Sequence, residues 1–193
     1  MMYMLYGLVV CGGKSTRMGT DKSLLNYHGK PQREHLFEML SSICEETYLS
    51  CNREQYPTIH PQYNPLQDDE DLGDIGPMAG VLTAFRRFPA VSFLVVGCDY
   101  PSLHTQDLQD LVSAYWEVGN SVAYYNFEAR TVEPLLAVYH LYIADYLINN
   151  FKTEKYSLRS VLEEVSANKL LPFSPERLKS IDTSAEYRAW KDR

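Results

Sequence analysis

The chain has 193 residues, 45% of them hydrophobic and 22% charged, an ordinary balance for one full-sized globular domain. A domain of this length buries roughly 70% of its unfolded surface, so it needs neither disulfides nor a structural metal. The net charge of −7, the pI near 5.2 and the lack of any Lys/Arg run argue against nucleic acid or an anionic membrane as partner, because neutralising phosphates takes a basic face.

The first eleven residues are apolar but short, without a basic leading segment, and they run straight into Gly12-Gly13. That pattern predicts a buried first strand over 5–11 and not a signal peptide. Pro31 stands where a helix can begin, and Leu36, Phe37, Leu40 and Ile43 follow at helical spacing. A second short strand is expected over 47–51. Residues 61–74, rich in Pro and Asp, are expected to form a polar loop. Gly76-Pro77 then opens a helix with Met78, Val81, Leu82, Phe85 and Phe88 on one face. Another buried strand is expected over 91–97, ending in Cys98-Asp99-Tyr100-Pro101, and a helix over 105–116.

In the second half, 121–127 and 133–139 are expected as strands, and 140–151 and 157–165 as helices. Thr183-Ser-Ala-Glu186 has the spacing of a capping box that would open a last helix. No stretch approaches the roughly 20 apolar residues of a membrane-spanning helix. Cys11, Cys44, Cys51 and Cys98 lack any C-x-x-C or Cys/His zinc spacing, so they read as buried thiols in a reducing, cytoplasmic setting. His28, His35, His60, His104 and His140 are scattered and show no metal spacing.

Buried apolar strands alternating with helices argue for an α/β fold with a mostly parallel sheet and right-handed crossovers. In such sheets the ligand lies beyond the carboxyl ends of the strands. Both Gly12-Gly13 and Asp99 fall at that edge. Adjacent glycines after a buried strand let backbone amides approach a ligand, and Lys14, Arg17 and Lys22 put three cations within nine positions. Amides and cations together make a polyphosphate site. A P-loop would need glycine five positions before Gly13, where Leu8 stands, so that reading fails on spacing. Asp99, a carboxylate at a strand's exit, is either a Mg²⁺ ligand or a residue that turns the chain before Pro101.

The segment from Val10 through Cys11-Gly-Gly-Lys-Ser-Thr-Arg-Met-Gly-Thr-Asp to Lys22 resembles the L-A-G-G-x-x-x-R-M-G…D-K signature of Rossmann-like nucleotidyltransferases. Gly76-Pro-Met-Ala-Gly80 and Cys98-Asp-Tyr-Pro101 resemble the G-P-L-A-G and C-D-x-P elements of the molybdenum cofactor guanylyltransferases. Weaker similarities at Asn52-Arg53, Glu133-Pro134-Leu135 and Ser157-Leu158-Arg159 carry the resemblance across nearly the whole chain.

The resemblance implies a three-layer nucleotidyltransferase fold, one domain over 1–193, with a nucleotide-binding half at 1–103 and an acceptor-side half at 104–193. It implies Mg²⁺-dependent transfer of GMP from GTP to the terminal phosphate of molybdopterin, with release of pyrophosphate. Cys11, Gly12, Gly13, Lys14 and Gly76 would surround the nucleotide, with Lys22 on its phosphates and Ser50 and Asn52 bordering the base or ribose. In the family an Asp several residues before G-P contacts the nucleoside. Spacing favours Asp69 for that role here, closely followed by Asp71. Arg17, Lys22 and Asp99 would be catalytic, and Asp99 and Asp182 would hold the metal. Transient contacts with molybdoenzymes or cofactor-delivery proteins would follow from a labile product.

Two departures stand out. Cys11 occupies a position where the family usually has Ala. Ser180-Ile-Asp-Thr-Ser184 stands in place of N-x-N-T-P, so Asp182 replaces an Asn, and related cytidylyltransferases also carry acidic residues there. CTP therefore remains an alternative donor and a sugar phosphate an alternative acceptor. A nucleotide-binding regulator without turnover is the alternative from outside the enzymes. For the acceptor, Arg130 either meets a phosphate or is a solvated loop residue. Tyr124, Tyr125, Tyr139, Tyr142 and Tyr146 either stack on a ring or pack the core.

Overall fold

The computed structural model describes residues 4–12 and 21–192. One seven-stranded sheet runs through it. The first strand, β1 (Leu5–Val10), pairs in parallel on both sides, with β2 (Glu46–Cys51) and with β4 (Ser92–Gly97). β3 (Pro65–Gln67) adds to the outer side of β2, also in parallel. Beyond β4 come β6 (Thr131–Tyr139), β5 (Val122–Asn126) and β7 (Asn168–Leu170), giving the order β3-β2-β1-β4-β6-β5-β7. Only β6 runs against the rest, paired antiparallel to both β4 and β5.

The strands read as continuous apolar runs because helices cover both faces. Period-two alternation sends Leu5 and Val9 of β1 and Leu94 and Val96 of β4 to one face. There they meet Leu36 and Leu40 of α1 (Gln32–Ser41) and Leu108 and Leu111 of α3 (Thr105–Val118). Leu8, Val10, Phe93 and Val95 point the other way, onto α2 (Pro77–Arg87), α4 (Ala144–Lys152) and α5 (Leu158–Glu164). Close approach on the first face depends on Gly7, where a Cβ would stand 2.9 Å from the Leu40 Cβ.

Local chemistry sets the helix ends. Pro77 begins α2 after Gly76, whose φ of +66° suits glycine, and Gly119, at φ +63°, ends α3 two residues beyond the expected Trp116. The capping box at Thr183 and Glu186 is formed, with the Glu186 carboxylate accepting from the Thr183 amide at 2.8 Å, and it opens α6 (Ser184–Lys191).

The first-half alternation of strand and helix is as the sequence reading has it, apart from one segment. Residues 61–74 are not only a loop: β3 lies inside them, between short 3-10 turns at Pro61–Tyr63 and Glu70–Leu72. β7 is a further strand that the periodicity did not reveal, since three residues carry no pattern. The expected helix over 140–151 divides into a 3-10 turn at Leu141–Ile143 followed by α4. None of the helices among the described residues is long and apolar enough to cross a membrane.

Candidate active site

The carboxyl ends of β1, β2, β3 and β4 meet along one edge, where the chain leaves each strand in turn. Cys11 and Gly12 follow β1. Cys11 is buried, its amide donates to the Ser50 carbonyl at 3.0 Å, and its thiol lies 3.9 Å from that of Cys98. All four cysteines are free thiols. The hydrogen-bonded Cys98 thiol and then burial push the Cys11 thiol well above its ordinary value, as expected of an apolar filler.

Gln55 ties this exit together. Its side-chain amide donates to the Cys11 carbonyl at 3.1 Å and to the Asp21 carboxylate at 2.9 Å, and its own amide is capped by the Asn52 side chain. No spacing pointed to Gln55, because its role depends on two segments far from it in sequence.

Beside this lies a cleft of about 320 Å³, bordered by Gly12, Asn52, Asp68, Asp74, Gly76 and Ala79. Glu54, Asp68 and Asp74 are its carboxylates, and the Asp68 Oδ1 accepts a 3.0 Å hydrogen bond from the Ser50 hydroxyl. Burial pushes Asp68 up to about 6, opposed by that hydrogen bond. Gly80 makes the arrangement possible: a Cβ there would fall 1.9 Å from the Ser50 Oγ and 3.3 Å from the Asp68 Oδ1.

Asp69 and Asp71, the two carboxylates favoured by spacing, do not border this cleft. Arg86 holds both, with its Nη1 at 3.0 Å from Asp69 and 2.9 Å from Asp71. The cause is β3. Its end carries Asp68 to the sheet edge, whereas Asp69 opens the 3-10 turn that follows and faces α2.

Asp99 stands just beyond β4. Its Oδ1 is buried with no hydrogen-bond partner. Burial pushes the carboxyl up to about 6, with Asp182 and Glu133 adding to the rise and Lys22 opposing it. The C-terminal segment is pinned here by the Ile181 amide, which donates to the Asp99 carbonyl at 2.8 Å. That bond brings Asp182 alongside. The Lys22 ammonium is paired with the Asp182 carboxylate, and the Ser180 hydroxyl donates to its other oxygen at 3.1 Å.

The next residue, Tyr100, donates its hydroxyl to Glu133 on β6 at 3.2 Å. The structure thus gathers Cys11, Gly12, Lys22, Ser50, Asn52, Gly76, Asp99 and Asp182 along one edge and adds Asp68, Gln55, Tyr100 and Glu133. Gly13, Lys14 and Arg17 lie outside the described residues. Among the described residues no group of three or more His, Cys, Asp or Glu side chains is placed to hold a metal ion.

Residues 7–169 match the family described as the MobA-like NTP transferase domain. The chain belongs to that family. A Yersinia pestis protein named molybdenum cofactor guanylyltransferase is 26% identical to it over 196 residues, which cover 97% of this chain and 95% of that protein. A Synechocystis protein named molybdenum cofactor biosynthesis bifunctional protein is 34% identical over 139 residues, 70% of this chain. The match spans only 39% of the Synechocystis protein. Among solved structures, molybdopterin-guanine dinucleotide biosynthesis protein A from Archaeoglobus fulgidus superposes with a TM-score of 0.79 at 21% identity, covering 97% of each chain.

As a MobA-like NTP transferase domain, the chain shares the mostly parallel α/β sheet of its structural neighbour. The matched region runs from within β1 to within β7 and therefore includes the Gly12 exit, the Asp68 cleft and Asp99. It ends before Asp182, which belongs to the segment that Ile181 pins to Asp99.

Proposed function

We propose that this chain transfers GMP from GTP to the phosphate of molybdopterin, releasing pyrophosphate. The reading draws on family membership and on the names of the relatives. The observation that carries it is the buried, unpartnered Asp99 Oδ1 at the exit of β4. A carboxylate oxygen left without a donor in a buried place is costly, and a cation is what it lacks.

The donor set fits Mg²⁺, which takes oxygen ligands and uses one or two carboxylates along with substrate phosphates. Asp99 would hold it, with Asp182 as the second carboxylate. When bound, Mg²⁺ would supply positive charge against the phosphates between which the bond is exchanged. The protein's own groups do the rest. The backbone at Gly12 would face the triphosphate, and Lys22, together with the Lys14 and Arg17 of the sequence pattern, would balance its charge. The Asp68 cleft, with Asn52 and Gly76, holds the nucleoside. An acceptor phosphate is already anionic near neutral pH, so no side chain has to remove a proton. Catalysis then consists of aligning two anions and offsetting the charge between them.

In this reading residues 1–103 form the nucleotide-binding half, and 104–193 the acceptor-side half, which supplies β5, β6 and the 171–182 segment. Four free thiols suit a cytoplasmic setting. CTP as donor is the second reading, favoured by Asp182 standing in place of an Asn.

Thermal unfolding with Mg²⁺ and each of GTP, CTP, ATP and UTP tests the donor. A ligand at 100 times its Kd stabilises by about 2.7 kcal/mol. A shift with GTP alone, followed by pyrophosphate release only when molybdopterin is added, is the expected result. A shift with CTP alone moves the assignment to a cytidylyltransferase. Binding without pyrophosphate release makes the chain a regulator.

A further inference from the structure

A second cleft, of about 230 Å³, opens between the β5–β6 hairpin and residues 172–179. We infer that it receives the end of the acceptor remote from its phosphate, and that this end is a flat, N–H-donor-rich heterocycle read by the Glu133 carboxylate. This rests on the proposed transferase reading and adds to it the place and chemistry of acceptor recognition.

Position is the first argument. Glu133 lines the cleft, and its Oε2 accepts from the hydroxyl of Tyr100, the residue next to Asp99. Leu178, on the opposite wall, lies three residues before Ile181, which bonds to the Asp99 carbonyl. The cleft therefore adjoins the edge where Asp99 stands and is built from different elements than the Asp68 cleft.

Charge is the second. Glu128, Glu133 and Glu176 line the cleft against a single cation, Lys179. A phosphate is repelled from such a place, and N–H donors are welcome. Glu133 is held in a fixed orientation for the task. Asn126 donates to its Oε1 at 2.7 Å, and the Asn126 amide is itself oriented by the Ala129 N–H, which donates to its Oδ1 at 3.0 Å. A carboxylate has roughly four acceptor positions, and Tyr100 and Asn126 take one on each oxygen. The remainder can receive two adjacent N–H groups, as on an amino-pyrimidinone edge.

Shape is the third. Tyr125 and Phe127 stand nearly perpendicular, at 86° with ring centroids 5.3 Å apart, and Pro172, Pro175 and Leu178 complete apolar walls. Phe127 is 61% exposed in the hairpin turn, with Tyr125 against it. Flat apolar walls suit a ring face. The volume is below the roughly 300 Å³ of drug-sized sites, so one or two fused rings fit and a whole acceptor does not.

The test is a fluorescence titration of the protein, with Mg²⁺ and GTP present, using free pterin (2-amino-4-oxopteridine). Lumazine, which replaces the amino group with oxygen, and glucose 1-phosphate serve as comparison ligands. Expected are saturable binding of pterin, at least tenfold weaker binding of lumazine, and no competition by the sugar phosphate. Phe127→Ala and Glu133→Gln should each weaken pterin at least tenfold, and Phe127→Ala should leave the unliganded Tm and the GTP-induced Tm shift unchanged. Phe127→Ala changes an exposed residue, so its fold is secure. Absence of saturable binding at millimolar pterin, equal binding of lumazine, indifference to both variants, or competition by the sugar phosphate overturns the inference. The GTP shift in the same samples separates the two proposals: if it persists while pterin fails, only the acceptor cleft is wrong, and if it is absent, the transferase reading falls.

Discussion

Gly80 lies so close under Ser50 that a methyl group on its Cα would stand 1.9 Å from the Ser50 hydroxyl oxygen and 3.0 Å from its Cβ. That hydroxyl is the one donating to Asp68. In an open helix, Gly→Ala stabilises by about 1 kcal/mol through helix propensity. Here the sign should reverse. Gly80→Ala is expected to lower stability by about 1–3 kcal/mol through overpacking and to weaken GTP by at least tenfold, because Ser50 must turn away from Asp68. Denaturant unfolding and calorimetric titration check both. Adding Ser50→Ala should recover part of the stability but not the binding.

Asp68 has a consequence in pH. Its folded pKa of about 6 lies above the ordinary carboxylate value of 3.8, because burial disfavours its ionised form. Between those two values the folded state keeps a proton that the unfolded chain has released. Stability therefore falls as pH rises through this window, and the cost is in full force above pH 6. Asp68→Asn should raise stability at pH 7.5 by on the order of 2 kcal/mol and change it little at pH 4. The same variant should bind GTP poorly. Wild-type affinity should fall as pH drops below 6, and the slope should be shallower in the variant, where Asp99 still titrates in the same range. Melting curves and titrations at pH 4 to 8 decide it.

The reassignment from Asp69 and Asp71 to Asp68 has its own check. Both of the former are bound by Arg86 on the surface side of α2. Exposed ion pairs are worth about 0–1 kcal/mol. Asp69→Ala and Asp71→Ala should each leave the GTP dissociation constant within about threefold, a result that the spacing argument alone would not have anticipated. A tenfold loss in either would return the nucleoside contact to that residue.

What the sequence made legible follows from where the information sits. β1 and β4 were visible as continuous apolar runs ending in glycine, α2 from Pro77 and its spaced apolar residues, and α6 from Thr183 and Glu186 alone. Asp99 was visible because a strand's end can be counted. β3 and β7 were not, since three residues have no periodicity and are strands only because β2 and β5 offer them an edge. The placing of the four Asp residues between 68 and 74 depends on β3, which brings Asp68 to the cleft that Asp74 also borders and turns Asp69 and Asp71 toward Arg86. Gln55 was illegible for the same kind of reason, as was the pairing of Tyr100 with Glu133, two residues that the sequence resemblances had separately marked. The contacts that bring them to the site, with Cys11, Asp21 and one another, span 33 or more positions.

The core offers a prediction independent of function. Leu36 and Leu40 of α1 are fully buried against the sheet, and Gly7 on β1 leaves the room that Leu40 fills. Leu40→Ala should cost about 2–5 kcal/mol, from lost burial and from the cavity left behind. Gly7→Ala should cost about 1–3 kcal/mol for the opposite reason, because a Cβ at 2.9 Å from that of Leu40 overpacks the contact. The double variant should be more stable than the sum of the two, and a cycle of urea midpoints measures that coupling directly.

Asp99 provides the sharpest separation of binding from turnover. Its Oδ1 is buried without a partner, while Lys22 is already paired with Asp182. Asp99→Asn keeps the shape and removes the charge, so it should leave the GTP dissociation constant within about tenfold and reduce turnover by about 10²–10³-fold, the loss typical of removing an electrostatic group from a transition state. Asp182→Asn restores the amide that the family pattern has at this place. It should keep turnover within about tenfold and shift the Mg²⁺ concentration needed for half-maximal rate, since it alters one of two carboxylates and frees Lys22 to swing toward the phosphates. Pyrophosphate release measured against Mg²⁺ concentration reads both variants. Near-normal turnover in Asp99→Asn would remove Asp99 from the metal site and leave its buried oxygen without a role.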